Sequence, residues 1–163
     1  MSISVGDTLP DVTLHRVDAE GRPEEVTLSS LTKGRKVIIF GLPGAYTGTC
    51  TSAHVPSFIR TKGDFDAKGV DDIICVSVND AFVMGAWGDS TGANEAGILM
   101  LGDPAAEFTK AVGLNFTAPP VGFYDRCQRC AMYAEDGVVK VMHLDENPGV
   151  CDVSGGEAML EAI

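Results

Sequence analysis

Residues 36–60, KVIIFGLPGAYTGTCTSAHVPSFIR, change character twice. Val37, Ile38, Ile39 and Phe40 form a short, largely β-branched apolar run bounded by glycine, the pattern of a strand covered on both faces. Pro43, Gly44 and Gly48 break the chain into a loop. Thr47 or Thr49 is then a suitable N-cap for a helix whose apolar face is Val55, Phe58 and Ile59. This helix is expected to reach about Ala67. Cys50 falls in its first turn, where unpaired backbone N–H groups and the positive end of the helix dipole favour an anion. A cysteine in that setting reads as a reactive thiol rather than as a small apolar filler.

Working outward, Lys68-Gly69-Val70-Asp71 is a turn before a second buried strand, 72–78, so strand, helix and strand make a βαβ unit with parallel strands. Asn79-Asp80 caps a further helix carrying Phe82, Val83, Ala86 and Trp87, with Trp87 as packing or at a dimer contact. Gly97 to Leu101 is a third apolar run, and 105–112 suit a helix. A long Pro/Gly loop is expected over 113–125. Residues 130–134 and 138–142 flank Glu135-Asp136-Gly137 as a hairpin. The chain ends in a helix over 154–163 capped by Ser154, with Met159, Leu160 and Ile163 as its apolar face. Towards the N-terminus, the stretches 11–17 and 25–28 alternate around Glu20-Gly21-Arg22-Pro23 and read as another hairpin, and Ser29-Ser30-Leu31 as a single turn.

With 163 residues, 45% of them hydrophobic, and no composition break, residues 1–163 are read as one α/β domain. No apolar run approaches a membrane span, and MSISVGDTLP lacks the basic and apolar regions of a signal peptide, so the mature protein is expected to start near Met1 and to be cytoplasmic. A formal charge of −11 argues against nucleic-acid or anionic-membrane partners. Five cysteines, an odd number without framework spacing, indicate a reducing compartment.

Pro43-Gly44-Ala45-Tyr46-Thr47-Gly48-Thr49-Cys50 resembles the Pro-x-x-x-Thr-x-x-Cys signature of the peroxiredoxins. With His54-Val55-Pro56-Ser57-Phe58, KGVDDIICVSVND and FVMGAW, nearly the whole chain resembles the type II, or fifth-class, members. The resemblance implies a thioredoxin-like fold with an N-terminal β-hairpin extension packed outside the main sheet. It also implies reduction of hydrogen peroxide and small alkyl hydroperoxides through a sulfenic acid on Cys50, with no metal or organic cofactor. Reductants would be glutathione with glutaredoxin, or thioredoxin, and the assembly a homodimer. By the same resemblance Pro43 shields the sulfur, Thr47 places its hydroxyl beside it, and Arg129 holds the thiolate and orients the peroxide, with Arg126 a weaker candidate. Two cysteines resemble resolving thiols: Cys75, as in plant-type members, and Cys151, as in animal members. Gly48, where proline is common, loosens the loop by about 0.5 to 1 kcal/mol if helical. Cys130 stands where an aromatic residue is common.

Cys127-Gln128-Arg129-Cys130 is the rival motif. A Cys-x-x-Cys pair suits disulfide exchange or half a zinc site, so one alternative function is a thioredoxin-like dithiol reductase using Cys127 and Cys130; a separate one is a noncatalytic thiol redox sensor, which would react without efficient turnover. The pair leads into a strand rather than a helix, where residues three apart are expected to point to opposite faces. Only His143, Cys151 and distant groups remain as further zinc ligands.

Overall fold

The computed structural model describes residues 1–163. The apolar run becomes β3 (Lys36–Gly41), from Val37 onward buried on both faces. It pairs in parallel with β4 (Asp72–Ser77), Ile39 opposite Ile74, and antiparallel with β8 (Cys130–Glu135), Phe40 opposite Ala131. β5 (Leu99–Gly102) continues the parallel side and β9 (Val138–Leu144) the antiparallel one. This central order, with helices on both faces, is the thioredoxin-like arrangement.

Alternation along these strands sorts the core into two layers. Val37, Ile39, Ile74, Val76, Cys130 and Met132 face one way, onto Leu28 and Leu31 of α1 (Leu28–Thr32) and Phe108 of α4 (Glu107–Ala111). Ile38, Phe40, Ile73, Cys75, Ala131 and Tyr133 face the other, onto Phe58 and Phe65 of α2 (Val55–Ala67), Met84 and Trp87 of α3 (Ala81–Thr91) and Met159 of α5 (Gly156–Ala162). Cys50 belongs to this second layer.

Three expectations change. The hairpin of β1 (Thr13–Val17) and β2 (Pro23–Thr27) does not pack outside the sheet: β1 bridges to β5 at His15 and Gly102, so the hairpin is the sheet's edge. The stretch expected as a loop over 113–125 holds β6 (Asn115–Ala118), a 3-10 turn at Pro119–Val121, and β7 (Phe123–Cys127), which pairs with β6 as a separate two-stranded sheet. Two prolines obscure it in the sequence, and both fall in the connecting turn, where a missing N–H costs nothing.

The third concerns α5, whose cap is not Ser154. Its Gly156 N–H donates to the Ser57 hydroxyl of α2 at 2.9 Å, and a Cβ on Gly156 would lie 2.5 Å from the Ser57 carbonyl oxygen. Only glycine permits that approach. Ser154 is used elsewhere: its hydroxyl and N–H, with the N–H groups of Val153 and Asp152, donate to the Asp145 carboxylate. This clasp closes the loop 146–153 against the end of β9. Burial pushes the Asp145 carboxyl up, but these donors outweigh it, so Asp145 titrates below the usual carboxylate value.

Because the folded value is depressed, the clasp stabilises fully above the unfolded carboxylate value and is lost as pH falls through the folded one. Asp145→Asn should therefore cost about 2 to 3 kcal/mol in urea unfolding at neutral pH, since an amide NH₂ opposes donors. That difference should shrink in acid. Equal stability of the two proteins at neutral pH would show that the clasp contributes nothing.

Candidate active site

β3 ends at Gly41, and Pro43 and Gly44 turn the chain so that the next helix starts beside the sheet's end. Neither threonine caps that helix with its side chain. The Thr47 hydroxyl donates to the Gly44 carbonyl at 2.7 Å and the Thr49 hydroxyl to the Gly149 carbonyl at 2.7 Å, while the Thr47 carbonyl accepts the first helical bond from Thr51. Having given its proton to Gly44, the Thr47 oxygen presents only lone pairs to an incoming hydroxyl.

Cys50 through His54 form a π-turn closed by the Val55 N–H on the Cys50 carbonyl. Pro56 accounts for the wide turn. It has no N–H for the Ser52 carbonyl and its ring would collide with it, so the helix opens by one residue there. Cys50 and His54 lie four apart on one face, and both are fully buried.

Arg129, 1% exposed, reaches them from the turn between β7 and β8. One terminal nitrogen, Nη2, donates to the Cys50 Sγ at 3.2 Å and to the Pro148 carbonyl at 2.8 Å. Nε donates to the same carbonyl at 3.1 Å, and Nη1 to the His54 Nδ1 at 3.1 Å. An arginine only donates, so His54 must be neutral with its proton on Nε2, which donates to the Ser154 carbonyl at 3.0 Å. Burial, then the Arg129 charge, lowers His54 to about 3.

Pro43, Thr47, Arg129 and Pro148 line a cavity of about 350 Å³ whose remaining wall is the β6–β7 hairpin, with Phe116 and Phe123. A larger cavity of about 630 Å³, between the β1–β2 hairpin and α3, contains no cysteine and lies away from this chemistry. Arg126 does not join Arg129 at the sulfur. It donates to the Pro43 carbonyl at 2.9 Å and lies 4.9 Å over the Phe123 ring, clamping the loop to the hairpin.

The structure thus gathers Cys50, Thr47, Pro43 and Arg129 and adds two groups the sequence reading missed, His54 and the Pro148 carbonyl. The i, i+4 spacing from Cys50 is the signal that marks His54. Cys75 is buried in β4 on the Cys50 side of the sheet, and its thiol is pushed well up by burial, then by Cys50 and Cys130. Cys151 is half-buried, and its thiol is raised less, by burial. The expectation that Cys127 and Cys130 diverge is wrong. They end one strand and open another across a two-residue turn, and both sulfurs face Gly41 in the opposite layer from Cys50. No cluster of three or more His, Cys, Asp or Glu side chains suited to a metal occurs in the structure.

The Redoxin family profile matches residues 4–160. Peroxiredoxin-2E-2, chloroplastic, of Oryza sativa subsp. japonica is 48% identical over 165 residues, covering 99% of this chain and 73% of that one. Peroxiredoxin-2C of the same plant is 42% identical over 161 residues, covering 99% and 98%. The crystal structure of reduced Prx3 in complex with H₂O₂ from Vibrio vulnificus superposes with a TM-score of 0.90 at 43% identity, covering 98% of each chain. With a buried thiol held by an arginine that lines a small cavity, and likeness along its whole length, the chain belongs to the redoxin family as a peroxiredoxin, a thiol-dependent peroxidase.

Proposed function

We propose that Cys50 is the peroxidatic nucleophile and that Arg129, Thr47 and Pro43 form the peroxide site around it. The observation that carries this is the 3.2 Å bond from the Arg129 Nη2 to the Cys50 sulfur, made by a guanidinium fixed on its other edges. Sulfur attacks one oxygen in line, the O–O bond breaks, and the departing oxygen gains charge and a proton. Arg129 meets that charge with fixed donors, the Thr47 oxygen accepts from the peroxide hydroxyl, and Pro43 excludes water. The Phe116 and Phe123 wall suits the alkyl group of a small organic hydroperoxide as well as hydrogen peroxide.

The finer assignments belong to the same proposal. The reductant is glutathione with glutaredoxin, or thioredoxin; the compartment is the cytoplasm. The assembly is a homodimer, for which exposed Tyr46 and Phe82 supply apolar contact surface. An external thiol resolves the Cys50 sulfenic acid directly, with Cys75 the internal partner and Cys151 the second. Cys75 shares the Cys50 layer but must leave a central strand and lose the burial that keeps its thiol protonated.

Cys50→Ser should abolish peroxide turnover; retention of more than a small fraction would remove Cys50 from the role. Arg129→Ala and Thr47→Val should each slow single-turnover oxidation by about 10²- to 10³-fold, the usual cost of one lost oxyanion-type contact, with far less effect on folding. Wild-type rates in either variant would exclude that side chain.

His54 is a positioning residue, so His54→Gln, which still accepts from Arg129, should keep most turnover, while His54→Leu should lose about 10- to 100-fold through a displaced guanidinium. Its folded value of about 3 lies below the ordinary 6.5, so the unfolded chain binds the extra proton between them and stability falls as pH drops through that window. Urea midpoints from pH 7 to pH 4 should fall more steeply for wild type than for His54→Gln; parallel slopes would count against a neutral buried His54.

Turnover with glutathione and glutaredoxin in a Cys75→Ser, Cys151→Ser double variant tests the external route. Peptide mapping after one equivalent of peroxide ranks the internal ones: a Cys50–Cys151 disulfide as the main product would reverse the order given.

A further inference from the structure

Cys127 and Cys130 take no part in the chemistry above, yet the fold brings their sulfurs together. Gln128 N–H donates to the Leu114 carbonyl at 2.9 Å and Asp145 N–H to the Arg129 carbonyl at 3.0 Å, pinning the turn between them from both sides. Both thiols are fully buried over the Cα of Gly41. A Cβ there would stand 2.7 Å from the Cys127 sulfur and 3.3 Å from the Cys130 sulfur, so glycine at position 41 is what leaves room for the pair. The two sulfurs lie side by side over Gly41, and Cys127 donates to the Gln128 carbonyl at 3.2 Å.

The partners are unequal. The adjacent Cys127 thiol, the Gly41 N–H and the Arg129 charge together outweigh burial and bring Cys130 down, while Cys127 is pushed up by the adjacent Cys130 and by burial. One sulfur is disposed to attack and the other is a thiol in contact with it. Asp145 and Asp103 are the acidic groups facing the pair and Arg129 is the cation, while the Thr109 hydroxyl donates to Asp103 at 2.8 Å.

We propose that Cys127 and Cys130 form a second redox site, oxidised by hydroperoxide to a disulfide that draws Arg129 away from Cys50. The Cys130 thiolate attacks the peroxide, forming an S–O bond as the O–O bond breaks and an alcohol or water leaves with a proton. Cys127 then attacks the Cys130 sulfenic acid, forming the S–S bond as the S–O bond breaks and its own proton leaves with hydroxide as water. Two thiols and one hydroperoxide give one disulfide, one alcohol and one water. The product is neutral, so it forms in an apolar layer without burying a charge.

The ring closed by this disulfide contains the backbone of Gln128 and Arg129. Shortening the sulfur separation to about 2.05 Å twists that backbone, and Arg129 extends from it to the other side of the sheet. Its guanidinium is held there by neutral acceptors and the Cys50 sulfur alone. A shift of about 1 Å costs on the order of 100-fold where geometry governs rate. Cys50 is equally buried, but it alone accepts from the Arg129 guanidinium, so the pair oxidises more slowly than Cys50 and records peroxide that outlasts the supply of reductant.

Trypsin cleaves after Arg126, Arg129 and Lys140, so the disulfide would join peptide 127–129 to peptide 130–140. Folded Cys50→Ser protein treated with excess hydrogen peroxide, alkylated and then digested should give this linked species, and the same protein carrying Cys127→Ala should not. Only separate peptides, whether alkylated or oxidised to sulfinic acid, or a link to another cysteine, would overturn the proposal. The second measurement alone rests on the peroxidase reading. A Cys75→Ser, Cys151→Ser protein is oxidised with diamide and briefly treated with a monothiol to free Cys50, and its single-turnover oxidation is followed by Trp87 fluorescence. The rate should be about 10- to 100-fold below that of the fully reduced protein, a difference abolished by Cys127→Ala. Equal rates with the linked peptide present would overturn the effect on Arg129.

Discussion

A buried arginine without a carboxylate partner governs this molecule. Arg129 is 1% exposed and takes part in none of the chain's ion pairs. Removing a guanidinium from water costs several kcal/mol unless each edge finds an acceptor and the charge finds an opposite. The Pro148 carbonyl and His54 meet the first requirement, and the Cys50 sulfur is the one further acceptor within hydrogen-bond reach of the guanidinium. In the proposed peroxidatic role, a thiolate at Cys50 and the guanidinium would each offset the other's burial, and peroxide would meet donors already oriented.

What could be read from the sequence follows from how local each feature is. β3, the Pro/Gly loop and α2 are set by runs within residues 36–67, and the parallel β4 follows from the length of the helix between them. Thr47 and Cys50 were legible because three residues separate them. Arg129 lies 79 positions from Cys50 and was found only through the resemblance. The Asp145 clasp, the Ser57 cap on Gly156 and the Pro148 carbonyl rest on partners that no period or spacing connects. Ser154 illustrates the difficulty: its place before an apolar helix is what a cap looks like, but a buried carboxylate nine residues earlier competes for the same hydroxyl and wins.

The sheet divides the thiols by chemistry. Register places Phe40, Cys75 and Ala131 on one face and Gly41, Val76 and Cys130 on the other, so a single strand, β3, separates Cys50 and Cys75 from the Cys127 pair. Reading three-residue spacing as divergence failed because it assumed one continuous strand through 127–130. The chain instead changes sheets there, and the break that lets the sulfurs converge also aims Arg129 through to the opposite layer.

In the proposed route through Cys151, the loop after β9 would couple resolution to peroxide binding. Cys151 lies three residues from Pro148 and two from Gly149, the carbonyls that hold Arg129 and Thr49. Any motion bringing Cys151 onto Cys50 displaces those carbonyls and, through Ser154, the His54 contact as well. Arg129 would then lose its acceptors at the stage when Cys50 carries a neutral sulfenic acid. A route through Cys75 has no such linkage: it requires the π-turn at Cys50 to open, which the missing Pro56 N–H has already half arranged, while the loop and Arg129 stay in place. The two routes thus differ in what survives the oxidised state. One dismantles the peroxide site, and the other leaves it standing around an unwound helix.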